Sequence, residues 1–364
     1  MKLNTCSCSR STPNKTSTRD QIMKPIYSLA FGIGTKNKEC EWLEVLFPSP
    51  MINLTHSQSD FVRSLLGPGT FDLELTEYKQ KELVSGLWQA GLDDIAQSLE
   101  ILADLSLPIL VTVLAEDEPP ESVPQAYLKL QLLSHRLVKP NETNLQGVFG
   151  LLKNIAWTNV GPIDVKELPS RILQARANGE VVTVNSVDKF PKMVDYVVPP
   201  GVRIADTSRV RLGAYIGHGT TVMHEGFVNF NAGTEGIGMI EGRISAGVFC
   251  GEGSDIGGGA STMGTLSGGG DVVIAVGRNC LLGANSGLGI PLGDRCTIEA
   301  GLYLTSGTIV TMLTDDGREN GKCKARELAH KNDLLFRRNS VNGQVECLTN
   351  KKAIELNEEL HKSN

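Results

Sequence analysis

Glu241, in the segment MIEGRIS, is the residue from which chemistry is most readily drawn in this chain. A carboxylate partly shielded by a neighbour can have a raised pKa and take a proton from an attacking amine. On spacing alone, a solvated loop glutamate is the plainer explanation. Arg243, two residues on, could hold a carboxylate in bidentate fashion, with a surface ion pair as the plain alternative. The glycine-rich runs GGGASTMGTLSGGG and LLGANSGLGIPLG match neither phosphate-binding pattern, GxGxxG or GxxxxGK[ST]. Tight backbone geometry is their first explanation. Their exposed N–H groups could also run beside an extended acyl-pantetheine chain or stabilise the oxyanion of acyl transfer, and Gly264 is the candidate donor. Lys324, Arg337 and Arg338 form a basic patch in an acidic chain, suited to the phosphates of a nucleotide-containing thioester or to plain solvation. His218 and His224 are too few for a three-histidine zinc site of the γ-carbonic anhydrase type.

These residues fall inside a periodic stretch from Val198 to Val310 that must position them. An aliphatic or small residue recurs every six positions as Val198, Ile204, Val210, Ile216, Val222 and Val228. The repeat resumes in a shifted frame as Ile244, Cys250, Ile256 and Thr262, then as Ile274, Cys280, Ser286, Leu292, Ile298, Leu304 and Val310. Many glycines fall three residues after an anchor, among them Gly201, Gly213, Gly247, Gly259, Gly277, Gly283, Gly289, Gly301 and Gly307, as sharp corners would need. Glu225 and Asn231 occupy such corners, as do Thr207, Thr265 and Arg295. A six-residue period predicts a parallel β-helix of triangular coils. The frame breaks twice, at NAGTEGIGMIEGR, read as an insertion between Val228 and Ile244, and at GTLSGGGD, between Thr262 and Ile274. Insertions leave a coil at its corners and often carry binding function.

The chain of 364 residues can bury more than one core. A net charge of −6 and few aromatics give no nucleic-acid footprint. Eight scattered cysteines without a CxxC pair read as reduced thiols in a cytoplasmic protein, with Cys250 and Cys280 facing inward. No apolar run approaches the ~20 residues of a membrane span. Residues 1–22 are rich in Ser, Thr and basic residues and read as a disordered tail. Residues 23–196 read as an α/β domain: strands over Ile26 to Ile33, Glu41 to Phe47 and Ile109 to Leu114, with helices over Lys79 to Ala90, Leu92 to Leu105, Gln125 to Leu137, Leu145 to Asn154 and Val165 to Ala177. The β-helix then spans 197–312. A C-terminal extension, 313–364, holds the polar loop TDDGRENGKC, a strand over Gly343 to Leu348 and a helix over Ala353 to His361.

Six motifs, RVRLGAYIGHGTTVMHEGFVNFNAGT, MIEGRISAGV, GGGASTMGTLSGGG, CLLGANSGLGI, IEAGLYLTSGT and LLFRRNS, go beyond periodicity. Together they resemble the tetrahydrodipicolinate N-succinyltransferases, in the form typical of actinobacteria and some other bacteria. The likeness is close from Val202 onward and looser before it. It implies a left-handed β-helix, a homotrimer with sites between subunits, and succinyl transfer from succinyl-CoA to the amino group of tetrahydrodipicolinate, or its open form 2-amino-6-oxopimelate, on the route to diaminopimelate and lysine. It places the catalytic glutamate at Glu241, as a base or as an acyl acceptor. It places acyl-CoA contacts at Arg243, Gly258, Ser261, Ala284, Glu299, Ala300, Gly307, Lys324, Arg337, Arg338, Asn339 and Ser340. It also implies a divalent ion near the threefold axis, held by Glu225 and by an aspartate where this chain has Ser208. Serine is a weak ligand for a hard cation, which disfavours magnesium unless Asp206 substitutes. A hexapeptide acetyltransferase acting on the same acceptor, and a non-catalytic β-helix trimer, are the rival readings.

Overall fold

A computed structural model describes residues 23–103, 107–264 and 272–349. The N-terminal tail, the C-terminal helix expected over Ala353 to His361, and GTLSGGGD beyond Gly264 lie outside the described residues.

The chain opens with an antiparallel sheet centred on Ser28–Lys36, which pairs with Trp42–Leu46, Met51–Ile52 and Ile109–Leu114; Phe71–Glu74 extends it beyond the last of these. Ile109–Leu114 is buried at every position because both faces of the sheet are covered, which explains its uninterrupted apolar sequence. Helices His56–Leu66, Glu77–Gln89 and Asp93–Ala103 supply one core, with Leu83, Leu87 and Leu99 against Leu29, Phe31, Val111 and Val113. The first of these begins with a capping box between Thr55 and Gln58. Val123–Ser134 covers the other face and is buried from Pro124 onward, because it lies between the sheet and the repeat domain. Its end is bolted to that domain: Ser134 Oγ accepts from Gly213 N and donates to Ala214 O, and Arg136 donates to Ile216 O and Pro200 O.

The expected strands and the Glu77–Gln89, Asp93–Ala103, Val123–Ser134 and Leu168–Ala177 helices are present. The helix expected over Leu145 to Asn154 is reduced to Val148–Leu151. Between it and Leu168–Ala177 the chain forms strands Ile155–Thr158 and Gly161–Asp164, joined by Val184–Asp188 in a three-stranded sheet. Strands of four and five residues are too short to show alternation in the sequence.

From Arg203 the chain winds a parallel β-helix with three faces. The first carries Arg203–Ile204, Thr220–Val222, Gly238–Ile240, Asp255–Ile256, Leu281–Leu282 and Thr297–Ile298 in register. The second carries Phe227–Val228, Arg243–Ile244, Ser261–Thr262, Gly287–Leu288 and Tyr303–Leu304. The third carries Ala214–Ile216, Ala232–Thr234, Phe249–Cys250 and Ala275–Val276. The inward column is dry, with Val222, Ile240, Ile256, Leu282 and Ile298 at 0% exposure.

Three features of the repeat differ from the expected frame. Val198 is 69% exposed and precedes the coils instead of anchoring one. NAGTEGIGMIEGR is not an insertion, because it contains the regular strands Ala232–Thr234 and Gly238–Ile240. The frame shifts because Val222 pairs with Ile240, eighteen residues on, whereas Val228 pairs with Ile244, sixteen on. The corner from Ile240 to Ile244 is therefore two residues short, and Glu241 sits in it. Finally, Ile274, Cys280 and Ser286 are inward but are not the strand anchors, which are Val276, Leu282 and Leu288. Several coil sides bury a second residue two positions before the anchor, as Val248 does before Cys250 and Ser254 before Ile256. A second short corner, Leu288 to Leu292, then returns the anchors to the expected frame.

Backbone angles confirm this register. Asn231, Asn279, Asn285 and Arg295 adopt positive φ three residues after Val228, Val276, Leu282 and Leu292, as Gly247 and Gly259 do after Ile244 and Ile256. Gly277 and Gly283 do not have positive φ. They are glycine because a Cβ there would come within 2.3 Å of Gly293 C and 2.5 Å of Ala300 N on the next coil. Beyond Val310 the polar segment forms a hairpin of Ile309–Leu313 and Glu319–Lys324. Leu334–Arg338 then adds to the first face over Thr297–Ile298 and closes the end of the helix with Phe336. It pairs with Val345–Thr349, the strand expected there.

Candidate active site

The edge between the first and second faces collects most of the predicted residues. Each chain crossing from Ile240, Ile256, Leu282, Ile298 and Phe336 contributes one corner, and these corners stack. The column holds Glu241, then Gly258, then Ala284, then Glu299 with Ala300, then Arg337 and Arg338. Four steps at ~4.8 Å per strand make it about 19 Å long. Its floor is bare backbone, since a Cβ on Gly257 would approach Ala284 N to 2.9 Å. Asn285 N donates to Gly258 O and Gly301 N to Ala284 O, which pins the corners to one another.

At one end lies Glu241, half-buried, its N–H donating to Ile256 O at 2.8 Å. Its Oε2 is 3.4 Å from where a Cβ on Gly258 would stand. Among the described residues nothing hydrogen-bonds to this carboxylate, so its lone pairs face the groove. Beside it on the second face, Arg243 is exposed, with Nε 3.4 Å from Ser261 Oγ. Arg243 and Ser261 belong to an outward row with Phe227, Gly287 and Tyr303, whose ring lies over Gly287.

At the other end the two arginines are not equivalent. Arg337 Nε pairs with Glu346 Oε2 at 3.0 Å, and Asn339 Nδ2 donates to Glu346 Oε1 at 2.7 Å. The Asn339 amide and the Arg337 guanidinium hold the Glu346 carboxyl below its ordinary range against the cost of burial. Arg338 is anchored through its backbone N–H to Glu299 Oε2 at 2.7 Å and through Nη1 to Gly343 O at 3.0 Å. Its guanidinium has no carboxylate partner among the described residues. Ser340 is exposed in the turn that follows, where Asn339 Oδ1 accepts from Val341 N. Glu346 had no signal in the sequence, since a single glutamate in a short strand has no motif around it.

Gly264, Gly307 and Lys324 lie elsewhere. Gly264 and Gly307 are on the edge between the second and third faces, after Thr262 and Leu304. Lys324 joins them, since Ala325 N donates to Thr308 O and Arg326 N to Ser306 O. Lys324 therefore does not form one patch with the arginines: it is three strands from Arg338 across the capping sheet, about 14 Å at ~4.8 Å each. Gly264 borders an open cavity of about 500 Å³ with Asn141, Asn144, Gln146, Phe230 and Asn231. There Asn231 and Asn141 exchange hydrogen bonds, Nδ2 to Oδ1 at 3.0 Å and N to Oδ1 at 2.8 Å. Within one chain, Glu241 and Gly264 thus face away from each other across the second face.

The expected ion ligands do not form a set in one chain. Asp206 Oδ1 accepts from Ser208 N and Ser208 Oγ, at 3.0 and 2.6 Å, bonds that lower its pKa. Glu225 is exposed, and its carbonyl is held by Arg209. Among the described residues no three His, Cys, Asp or Glu side chains converge. Among them, too, no helix is long and apolar enough to cross a membrane. Cys250, Cys280, Cys296 and Cys347 are free and buried, with burial pushing the Cys250 thiol up to about 12.

The chain is similar to known proteins over most of its length. Residues 94–150 match the N-terminal profile and 152–192 the middle profile of tetrahydrodipicolinate N-succinyltransferase, and 273–306 match the hexapeptide repeat of succinyl-transferase. A 2,3,4,5-tetrahydropyridine-2,6-dicarboxylate N-succinyltransferase of Pseudomonas paraeruginosa is 60% identical over 94% of this chain and 100% of its own length. That of Vibrio cholerae is 56% identical over 93% of this chain and 99% of its own. A crystal structure from Campylobacter jejuni, described as a 2,3,4,5-tetrahydropyridine-2-carboxylate N-succinyltransferase, superposes with a TM-score of 0.83 at 32% identity, covering 92% of this chain and 95% of that one. By this identity over nearly its whole length, the chain belongs to the tetrahydrodipicolinate N-succinyltransferase family.

Proposed function

We propose that this enzyme transfers succinyl from succinyl-CoA to the amino group of tetrahydrodipicolinate, as 2-amino-6-oxopimelate, in diaminopimelate and lysine biosynthesis. The observation that carries the reading is the edge column, a groove of glycine and alanine corners with a carboxylate at one end and a guanidinium without a carboxylate partner at the other. Its length suits an extended pantetheine arm, thioester at Glu241 and phosphates at Arg338. Gly258, Ser261, Ala284, Glu299 and Ala300 line the arm, while Arg337, Asn339 and Ser340 shape the phosphate end. Arg243 faces the reacting end and is suited to a carboxylate of succinyl or of the acceptor.

Glu241 takes the proton from the acceptor nitrogen as the nitrogen attacks the thioester carbon. The tetrahedral oxyanion is met by a backbone N–H, for which Gly264 is the candidate. Collapse breaks the C–S bond and coenzyme A leaves as a thiolate, so direct attack needs no acyl-enzyme. Because Gly264, Gly307 and Lys324 sit on the other edge, the site is completed by a second copy that presents that edge to the first. A homotrimer of left-handed β-helices meets this requirement three times. The division at residues 196 and 312 separates the covering domain, the coil stack and the capping strands, and the cytoplasm suits the buried free thiols. No step is routed through a metal, since Asp206 is engaged by Ser208.

Free-thiol release by the purified protein, with tetrahydrodipicolinate present or omitted, tests the reading at matched succinyl-CoA and acetyl-CoA. Acceptor-dependent release favouring succinyl-CoA is expected. Equal or greater release with acetyl-CoA would change the donor, and none with either would remove the assignment.

A further inference from the structure

A second cavity, of about 570 Å³, opens where the edge strand Trp42–Leu46 meets Gly161–Asp164 of the three-stranded sheet. The reaction above uses none of its lining residues. Its floor holds Glu44, only 8% exposed. Tyr196 Oη donates to Glu44 Oε2 at 3.1 Å, and Thr35 stands opposite Glu44 in the sheet. Among the described residues no lysine or arginine pairs with this carboxyl. Burying a carboxyl without a cation is costly, and a fold that needed only packing here would place an apolar residue. Burial pushes the Glu44 carboxyl up, against the hydrogen bonds from Thr35 and Tyr196.

The walls are apolar: Ile33, Leu46 and Trp157, whose Nε1 is already committed to Asp188 O at 3.0 Å. Leu107 and Val160, at the same cavity, remain 45% and 61% exposed. Its other charged lining residues are Arg171, Lys192 and Asp195. Lys192 pairs with Asp195 at 3.2 Å, whereas Arg171 is exposed and has no carboxylate partner among the described residues. The cavity thus offers a buried acid without a cationic partner, apolar walls and a guanidinium without a carboxylate partner, within the volume range of small-molecule sites.

We propose that this cavity binds a small zwitterionic amino acid with an apolar side chain, its ammonium on Glu44 and its carboxylate on Arg171, at a site separate from acyl transfer.

Isothermal titration of the full-length protein with three six-carbon probes tests this: norleucine, hexanoate and 1-aminohexane. Norleucine should bind, and loss of either charged contact should weaken it by about 10-fold or more, from the 1.5–3 kcal/mol of a hydrogen bond to a charged group. The other two probes should therefore bind correspondingly worse, as should norleucine to Arg171→Ala and Glu44→Gln. Arg171→Ala should keep the wild-type KM for the acyl acceptor. Absence of norleucine binding at millimolar concentration, or undiminished binding to Arg171→Ala, overturns the proposal. A raised acceptor KM in Arg171→Ala overturns it too, by making the cavity part of the transfer site. Arg171 is exposed, so this variant remains informative should Glu44→Gln unfold.

Discussion

Two corners of the β-helix are shortened by the same two residues, yet they have opposite fates. From Leu288 to Leu292 the chain crosses through Gly289, Ile290 and Pro291, all buried, and His330 N of the C-terminal segment donates to Pro291 O. That contraction is sealed and serves packing. From Ile240 to Ile244 the chain crosses through Glu241, Gly242 and Arg243, and none of the described residues hydrogen-bonds to the half-buried Glu241 carboxylate. Shortening a corner pulls its side chains closer to the coil axis than their neighbours above and below. Where the resulting recess is filled by apolar residues it is structural; where it carries one acid without a hydrogen-bond partner beside a groove floored by glycine, it is the site proposed for acyl transfer.

The comparison can be broken at several points. Restoring the regular period by inserting two glycines between Glu241 and Gly242 should cost the largest factor. Turnover should fall about 100-fold or more with the fold retained, as expected when a general base is displaced from its proton. Steady-state rates alongside circular dichroism check this, and near-normal turnover would mean that the recess is irrelevant. Ile290→Ala should do the reverse, lowering stability by about 2–4 kcal/mol in chemical denaturation while leaving KM for succinyl-CoA unchanged. Arg338→Ala should raise that KM about 10-fold, with a salt-sensitive difference, for loss of one charge-assisted phosphate contact. Arg337→Ala should do less, because Glu346 already claims its guanidinium.

The smallest effect sharpens the docking of the covering domain. Glu235 lies between Arg278 and Lys139, at 3.1 Å from each, and Arg278 first among the causes holds its carboxyl down at about 2 from the ordinary 4.5. A depressed folded-state pKa stabilises fully above the unfolded value and is lost as pH falls from about 4.5 towards 2. Glu235→Gln should therefore lower stability near neutrality by about 1 kcal/mol or less, since all three side chains reach solvent. That difference should shrink through this acid window in thermal melts taken as a function of pH.

Much of this was legible in the residues. The six-residue period identified the coils because their anchors must be apolar wherever they stack. The break in the period before Ile244 pointed to the segment holding Glu241, although the shift comes from a shortened corner and not from an insertion. The frame of Ile274, Cys280 and Ser286 was two residues early because both inward positions of each side are small or apolar, and composition alone does not rank them. The second short corner then concealed the error by restoring the period. Leu334–Arg338 passed unseen as a strand because its partners, Thr297–Ile298 and Val345–Thr349, are distant in sequence. Which edge each site residue occupies was likewise hidden, since edge assignment needs the true register. That register separates Gly264, Gly307 and Lys324 from Glu241.

The most direct test of the account is turnover by Glu241→Ala, measured together with succinyl-CoA binding by titration. A loss of about 100- to 10,000-fold in kcat is expected, with binding and assembly near those of the wild type, the range for removing a positioned general base. Retained turnover, or loss of succinyl-CoA binding equal to the loss of rate, would contradict the role given to the carboxylate at the head of the groove.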